Sequence, residues 1–590
     1  MSGDQRVFTT DEVLELLDDY FDIPADGEHS DLSDYESDDD NIEEVAPERN
    51  AVGEQNTVLD NLHALDIVDV HDNANDVERR RSGPVKSFDF SIYDWCIGPH
   101  MDFSRSYGQF RQNVGPTTIQ PKAATALDFF KLLFSMNIVN RIVLETNKYA
   151  QQQHEAAGKD FESFQLVTKE EFMAFIGIFV AMGIHRLPSI RDYWSSDWIL
   201  NVPSLVNCMP RHRFEKIFQY LHLNDNTNMV PKGEPGYDKL FKVRPFIDSI
   251  RANFLHEYLP GENQSVDEAM IKFKGRTTLK QYMPKKPIKR GIKMWCRADS
   301  KSGYLSDFDI YIGRSGTETE QNLGYTVVTR LCQPIYGKWH TVYFDNFFTS
   351  LNLIQELFCN KTLSCGTVRS GRRNFPKELF DKKTTKNMNR GDYVERSKGL
   401  IKMITWFDSK PVYIVSSLLT SVHEVHQVKR RKKAGDQQLV QCPSIINLYN
   451  KHMGGVDKND QLKSYYSIIC RSKKWWPRIF FELLDRCVVN SFLLESESPN
   501  HAQRTMKLFR VDLVKLLIGE FTSRKASGRQ SAQTPARFVE RHFPKVLPKN
   551  DNGIQMQRRC KVCPKKPKYW CEECDVAVCP APCFEMYHTK

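Results

Sequence analysis

Residues 265–273 read SVDEAMIKF, residues 289–298 read KRGIKMWCRA and residues 304–313 read YLSDFDIYIG. All three have the length and apolar content of short strands. The loop DSKSG, from Asp299 to Gly303, joins the second to the third and suits a hairpin. A helical stretch follows at 317–335. Then come the strand HTVYFD (340–345), the helix SLNLIQELF (350–358) and the strand TLSCGTV (362–368). The order is β-β-β-α-β-α-β, an α/β arrangement. Two acids stand out by place: Asp267 lies in the first strand, and Asp345 ends the fourth, where the chain turns into a helix.

Downstream, residues 372–442 interrupt the pattern with a polar, Lys/Arg-rich insertion that is partly strand-like at LIKMITWF and PVYIVSSL. The helix PSIINLYNKHM then runs to Gly454 and Gly455, where a second helix starts, VDKNDQLKSYY. It carries Asp457 and, one turn later on the same face, Asp460. Upstream, residues 125–150, 169–185, 212–223 and 237–255 repeat apolar residues at helical spacing, as do 478–495 and 505–521 downstream. Groups at the carboxyl ends of neighbouring strands converge on one crevice of an open sheet. Aspartates meeting there repel one another unless hard divalent cations, Mg²⁺ or Mn²⁺, neutralise them. Two such ions stabilise the attacking and leaving oxygens of an in-line displacement at phosphorus. The alternative for any one of these acids is a strand end or a helix cap. Acids on the first strand, the fourth strand and the last helix resemble the RNase H-like layout of nucleases and DNA transposases.

The 590 residues exceed one compact domain, and no run approaches the ~20 apolar residues of a membrane span. The net charge of +8 hides a division. Residues 1–80 hold 25 acidic against four basic residues, which leaves residues 81–590 with a net of +29. The acidic arm is expected to be disordered, and the basic remainder to favour a polyanion. A merely soluble basic surface is the alternative. The acidic N-terminus has no basic-then-apolar signal region, so secretion is not expected and the cysteines should be thiols or metal ligands.

Lys285, Lys286, Lys289, Arg290 and Lys293 crowd the run into the second strand. Lys473, Lys474, Trp475, Trp476 and Arg478 mix cations with large rings, which can bind phosphate and stack on bases. For each ring the alternative is an anchor in the core. The cluster KRRKK at 429–433 suits phosphate binding or nuclear import. His423 and His426 are three apart rather than four, so they do not form a zincin-type protease site. At the C-terminus, Cys560, Cys563, Cys571, Cys574, Cys579, Cys583 and His588 contain two C-x₂-C knuckles seven residues apart, a strong zinc signal.

SVDEAMIKFKGR, YFDNFFTS, CGTVRS, YNKHMGGVDKNDQ, KKWWPRIFFELL and CFEMYH occur in the order found in piggyBac-family DNA transposases, which the chain resembles from about residue 86 to 590. The resemblance implies an RNase H-like catalytic core interrupted by an insertion, a mostly helical dimerisation and DNA-binding domain, and a Cys-rich zinc-binding domain. It places Asp267, Asp345 and Asp457 on the family's metal-binding triad, for two Mg²⁺ or Mn²⁺ ions, and Asp460 on an adjacent fourth acid. It implies cleavage of double-stranded DNA at transposon ends, a hairpin intermediate and joining at TTAA, by a nuclear homodimer with neither membrane nor small-molecule substrate. The family carries eight Cys/His ligands in two cross-braced zinc sites. Seven are visible here, so one or two Zn²⁺ ions are expected.

The expected partition is an acidic arm at 1–85, a basic and aromatic segment at 86–122, helical parts at 123–262 and 458–540, and core parts at 263–371 and 443–457. The insertion takes 372–442, a basic linker 541–559 and the zinc domain 560–590. Two rivals keep the site: a domesticated, sequence-specific DNA-binding or chromatin protein without transposition activity, and a metal-dependent nuclease without strand transfer.

Overall fold

The computed structural model describes residues 93–97, 107–161, 164–284, 286–313, 323–419, 425–431, 437–468, 472–501, 504–523, 542–550 and 553–588. The acidic arm, Lys285 and His423 lie outside these residues. The chain divides into two compact units, Met1–Thr522 and Ser523–Lys590. Among the described residues no helix is long and apolar enough to cross a membrane.

Residues 125–150 split into α1 (Ala126–Leu133) and α2 (Met136–Ala156). Thr125 and Asp128 start α1 with a reciprocal capping box, and Ser135 begins α2 in an extended conformation. Helix α3 (Lys169–Ile184) is buried from Phe172 to Val180 without a break, so it is a core helix rather than an amphipathic one. Its one buried charge, Glu171, accepts both hydrogen bonds of an Arg213 fork at 2.8 and 2.5 Å. Arg213 lies on α4 (Arg211–Tyr220), and α5 (Arg244–Glu257) leads into the sheet.

Strand β1 (Asn263–Lys272) is central to that sheet. After β2 (Lys280–Tyr282), β3 (Arg290–Asp299) runs antiparallel to β1, and β4 (Leu305–Ile310) runs antiparallel to β3. The expected DSKSG hairpin is present. Gly303 takes φ +79°, a left-handed turn conformation. Asp299 Oδ1 accepts from the amides of Lys301 and Ser302, both at 2.9 Å. Helix α6 (Leu323–Cys332) crosses to β5 (Thr341–Phe344), parallel to β1, and α7 (Leu351–Cys359) crosses to β6 (Leu363–Thr367), parallel to β5.

The insertion then continues the same sheet as a meander of β7 (Tyr393–Lys398), β8 (Ile401–Phe407) and β9 (Pro411–Ser416). β9 pairs with β6, so it covers an edge whose amides and carbonyls would otherwise be unpaired. The order is β2-β3-β1-β5-β6-β9-β8-β7, with β4 also on β3. A separate hairpin, β10 (Val425–Arg431) and β11 (Gln437–Pro443), leads into α8 (Ser444–His452) and α9 (Gly455–Tyr465).

Helices α10 (Trp475–Glu497) and α11 (Met506–Ile518) return the chain to its helical beginning. α10 packs on α1 and α5, and α11 on α3. Phe481 meets Phe179 at 4.4 Å between ring centroids, and Phe480 meets Phe246 at 5.1 Å. Helices from both sides of the sheet thus share one core, because α10 is too apolar to stand alone.

Candidate functional site

Parallel pairing sets Val266 opposite Phe344. The next residues along, Asp267 in the middle of β1 and Asp345 just past the end of β5, therefore lie side by side on neighbouring chains about 5 Å apart. Asp267 Oδ1 accepts the Glu268 amide at 2.8 Å, and Asp345 Oδ1 accepts the Phe347 amide at 2.8 Å, which fixes its turn ahead of α7. Both acids are half-buried. Burial, reinforced by Glu268 and Asp345 and opposed by Lys286, pushes the Asp267 carboxyl up to about 7. Burial likewise raises Asp345, with Glu268 adding to it.

Asp457 reaches this end of the sheet through close helix-to-strand packing. The Val456 amide donates to Ser265 Oγ at 3.2 Å, and Ser265 shares a face of β1 with Asp267. A Cβ on Gly455 would meet Ser265 Oγ at 2.5 Å and the Asp299 carbonyl oxygen at 2.9 Å, so only glycine allows this approach. Asp457 is exposed in the first turn of α9. Asp460, expected beside the triad, is engaged by Arg486: its Oδ1 accepts from Nη2 at 2.6 Å. Burial opposes its ionisation, but Arg486 and Lys463 outweigh that and hold the carboxyl below its usual range.

The expected basic residues separate into distinct roles. Lys286 Nζ lies 3.1 Å from Glu268 Oε1. Lys293 Nζ sits over the Trp295 ring at 4.6 Å, and burial lowers its ammonium. Lys289 and Arg290 are exposed, Arg290 over the Tyr282 ring at 5.4 Å. Lys473 is exposed and Lys474 half-buried, while Arg478 Nε donates to the Lys272 carbonyl at 2.9 Å and ties down the end of β1. Trp476 corrects an expectation. It is 5% exposed and packs 5.7 Å from the His222 ring, so it anchors α10 and offers no face to a base. Trp475 is half-buried against the same core.

Three features escaped the sequence reading, two in the larger unit and one in the C-terminal unit. Glu268 adjoins Asp267. Arg369 Nε donates to Asn346 Oδ1 at 2.6 Å, and Arg372 Nη1 to the Asn346 carbonyl at 3.0 Å, so two guanidinium groups flank the residue after Asp345. Their signal was the basic run RSGRR after the strand CGTV.

The third is His542. In the C-terminal unit two groups of four have all ligand atoms within 4.8 Å of one another: Cys560, Cys563, Cys579 and Cys583, and His542, Cys571, Cys574 and His588. His542 Nδ1 is 3.3 Å from Cys571 Sγ and 3.2 Å from Cys574 Sγ. It comes from the expected basic linker. That segment contributes β12 (Pro544–Val546), paired with β13 (Tyr569–Cys571), which in turn pairs with β14 (Val576–Ala577). The two groups interleave along the chain, which braces a small unit with little apolar core. Cys563 and Cys579 sulfurs are 3.7 Å apart, matching the roughly 3.8 Å that 2.3 Å tetrahedral zinc–sulfur bonds require. Burial disfavours the Cys560 thiolate, but backbone amides around Val562, Cys563 and Cys579 outweigh it and lower that thiol to about 6. His588 Nδ1 bonds the Phe584 carbonyl at 2.8 Å, leaving Nε2 for the group.

The chain is similar to human PiggyBac transposable element-derived protein 3, at 28% identity over 479 residues, 79% of this chain and 76% of that protein. Human PiggyBac transposable element-derived protein 5 is 26% identical over 427 residues, 70% of this chain and 79% of that protein. A piggyBac transposase solved by cryo-electron microscopy as a synaptic complex with hairpin DNA shares the fold. Its TM-score is 0.62 at 23% identity, covering 80% of this chain and 100% of that one. The family model described as Transposase IS4 matches residues 125–492, which takes in the whole sheet, the acids and α10 as far as Phe492. The chain belongs to this transposase family and is a relative of the piggyBac proteins.

Proposed function

We propose that this protein is a piggyBac-type DNA transposase that cuts and rejoins strands at phosphorus, with Asp267, Asp345 and Asp457 as its divalent-cation ligands. The observation that carries the reading is the placement of Asp267 and Asp345 side by side on adjacent parallel strands, with α9 docked on the same strand two residues away. Half-buried acids whose carboxyls burial and the neighbouring Glu268 both raise are a donor set suited to a hard cation. Bound there, Mg²⁺ or Mn²⁺ would stabilise charge on the attacking and leaving oxygens. The chain's own groups would hold the DNA: Arg369 and Arg372 beside Asn346, and exposed Lys289, Arg290 and Lys473 farther out, have the charge to orient phosphates. The sheet order β4-β3-β1-β5-β6, with the last three parallel, supports an RNase H-like core.

Family likeness alone supports the finer points: hairpin formation, TTAA targeting, a homodimer and action in the nucleus. The interleaved ligand groups support two Zn²⁺ ions in the C-terminal unit. Its exposed basic residues, among them Lys561, Lys565 and Lys566, support DNA-end binding.

A cell-based excision assay on a marked element with family-type ends tests the reading. Wild type should excise at TTAA, and Asp345→Asn should lose on the order of a thousandfold while remaining folded. Specific DNA binding without excision would favour a domesticated DNA-binding protein instead.

A further inference from the structure

Strands β10 and β11 form a two-stranded ribbon outside the main sheet, and its two faces differ. Opposed residues share a face, as do alternate residues along each strand. Val428, Val440 and Cys442 face inward and join a core with Trp406 and Ile445. Beside them Arg430 Nε donates to Asp408 Oδ2 at 3.0 Å, and the Trp406 indole donates to the Gln441 carbonyl at 2.8 Å. The other face carries Gln427, Lys429, Gln437, Leu439 and Gln441, all exposed, Leu439 at 63%. Gln427 stands directly opposite Gln441, and Lys429 opposite Leu439.

That outward face lacks the chemistry of a merely solvated surface. It holds no acid, whereas ordinary surfaces intersperse charges of both signs. Residues 425–443 contain five basic residues, Lys429, Arg430, Arg431, Lys432 and Lys433, against Asp436 alone. The charge suits a polyanion and the amides suit base edges. Glutamine bonds adenine N6 and N7 together, and an apolar tip meets the thymine methyl. A two-stranded ribbon also fits the major groove, about 12 Å wide. Helix α8 ties the ribbon to the strands of the acid site: it follows β11 without a break and packs on β1 and β6. Its His452 ring stacks at 5.3 Å on Tyr343 of β5, two residues before Asp345.

We propose that the outward face of this ribbon reads A·T base pairs in the major groove of duplex DNA, with Gln427 and Gln441 on the bases and Lys429 on a flanking phosphate. The inference rests on the DNA-transposase reading above. It adds an element that selects sequence, separate from the acids that would cut strands and from the C-terminal unit.

Selection of the full-length protein on a library of randomised DNA duplexes, read by sequencing, tests this. Wild type should enrich a motif that includes adjacent A·T pairs. Gln427→Ala/Gln441→Ala should lose about tenfold of the preference at those pairs and keep the rest of the motif. Its affinity for a mixed-sequence duplex should stay within about twofold of wild type, with the same salt dependence. Lys429→Ala should do the reverse, keeping the motif and lowering the salt slope by about one. Gln438→Ala removes the same amide from the opposite face and should change neither. Should the double variant fail to fold, Gln427→Glu, an isosteric change, should trade adenine preference for cytosine. An unchanged motif in the folded double variant overturns base reading by this face and leaves the transposase reading standing. If excision falls in that same variant, the face meets a protein instead. A wild type that enriches no motif also overturns the inference. Wild type with no salt-dependent binding to any duplex overturns the DNA-transposase reading, and the inference with it.

Discussion

A carboxylate pair on adjacent parallel strands is costly to keep charged, and the two acids here have few donors to relieve it. Asp267 and Asp345 accept only backbone amides, whereas Asp460 has a buried guanidinium. That contrast separates acids suited to a cation from an acid that holds helices together. The same logic applies to the sulfur ligands: Cys560, Cys563, Cys579 and Cys583, with sulfurs within 4.8 Å of one another, can all ionise together only around a cation. His542→Ala should reduce bound zinc from two ions per chain to about one, as measured by elemental analysis of purified protein, and Cys563→Ser should do so through the other group. Two full equivalents in the His542 variant would remove that residue from the ligand set.

At the level of elements, the site depends on α9 meeting β1 closely. Gly455→Val places a side chain against Ser265 and the Asp299 backbone. It should destabilise the protein by about 1–3 kcal/mol and reduce excision far more than the loss of folded protein explains. Gly454→Ala, which meets nothing within 4 Å, should be silent in both thermal melts and excision. Helix α10 supplies a second test. Trp476→Ala should cost about 3–5 kcal/mol in denaturant unfolding, because the ring belongs to the core. A variant that keeps its stability and loses only DNA affinity would restore the base-stacking role.

For the larger unit as a whole, His340 couples folding to pH. It is 1% exposed beneath Phe110, with Nδ1 on the Gly261 carbonyl at 2.9 Å, and burial pushes it down to about 4. The unfolded chain binds this proton near pH 6.5 and the folded chain only near 4, so between those values the unfolded state holds more protons. Stability from this group is complete above pH 6.5 and lost as pH falls toward 4, by at most about 3 kcal/mol. His340→Gln should flatten the melting temperature across that window, and an unchanged slope would assign acid sensitivity elsewhere.

The strand order, the Asp267, Asp345 and Asp457 positions and the paired cysteine knuckles were legible in the chain, because each is a local pattern: short apolar runs, an acid within a strand, after a strand or at a helix start, thiols two residues apart. The sequence by itself determined these elements and the residue types they carry. Tertiary structure decided the partners. The polar 372–442 stretch reads as an insertion, yet sheet β6 needs an edge partner and β9 provides it. His542 stands eighteen residues before Cys560 and has no local signature, so only the pairing of β12 with β13 brings it to Cys571 and Cys574. Trp476 and Asp460 look like surface chemistry in a run of charges. Helix packing alone shows that the ring faces His222 and the carboxylate faces Arg486. Local spacing sets what a residue can do, and long-range packing sets what it meets.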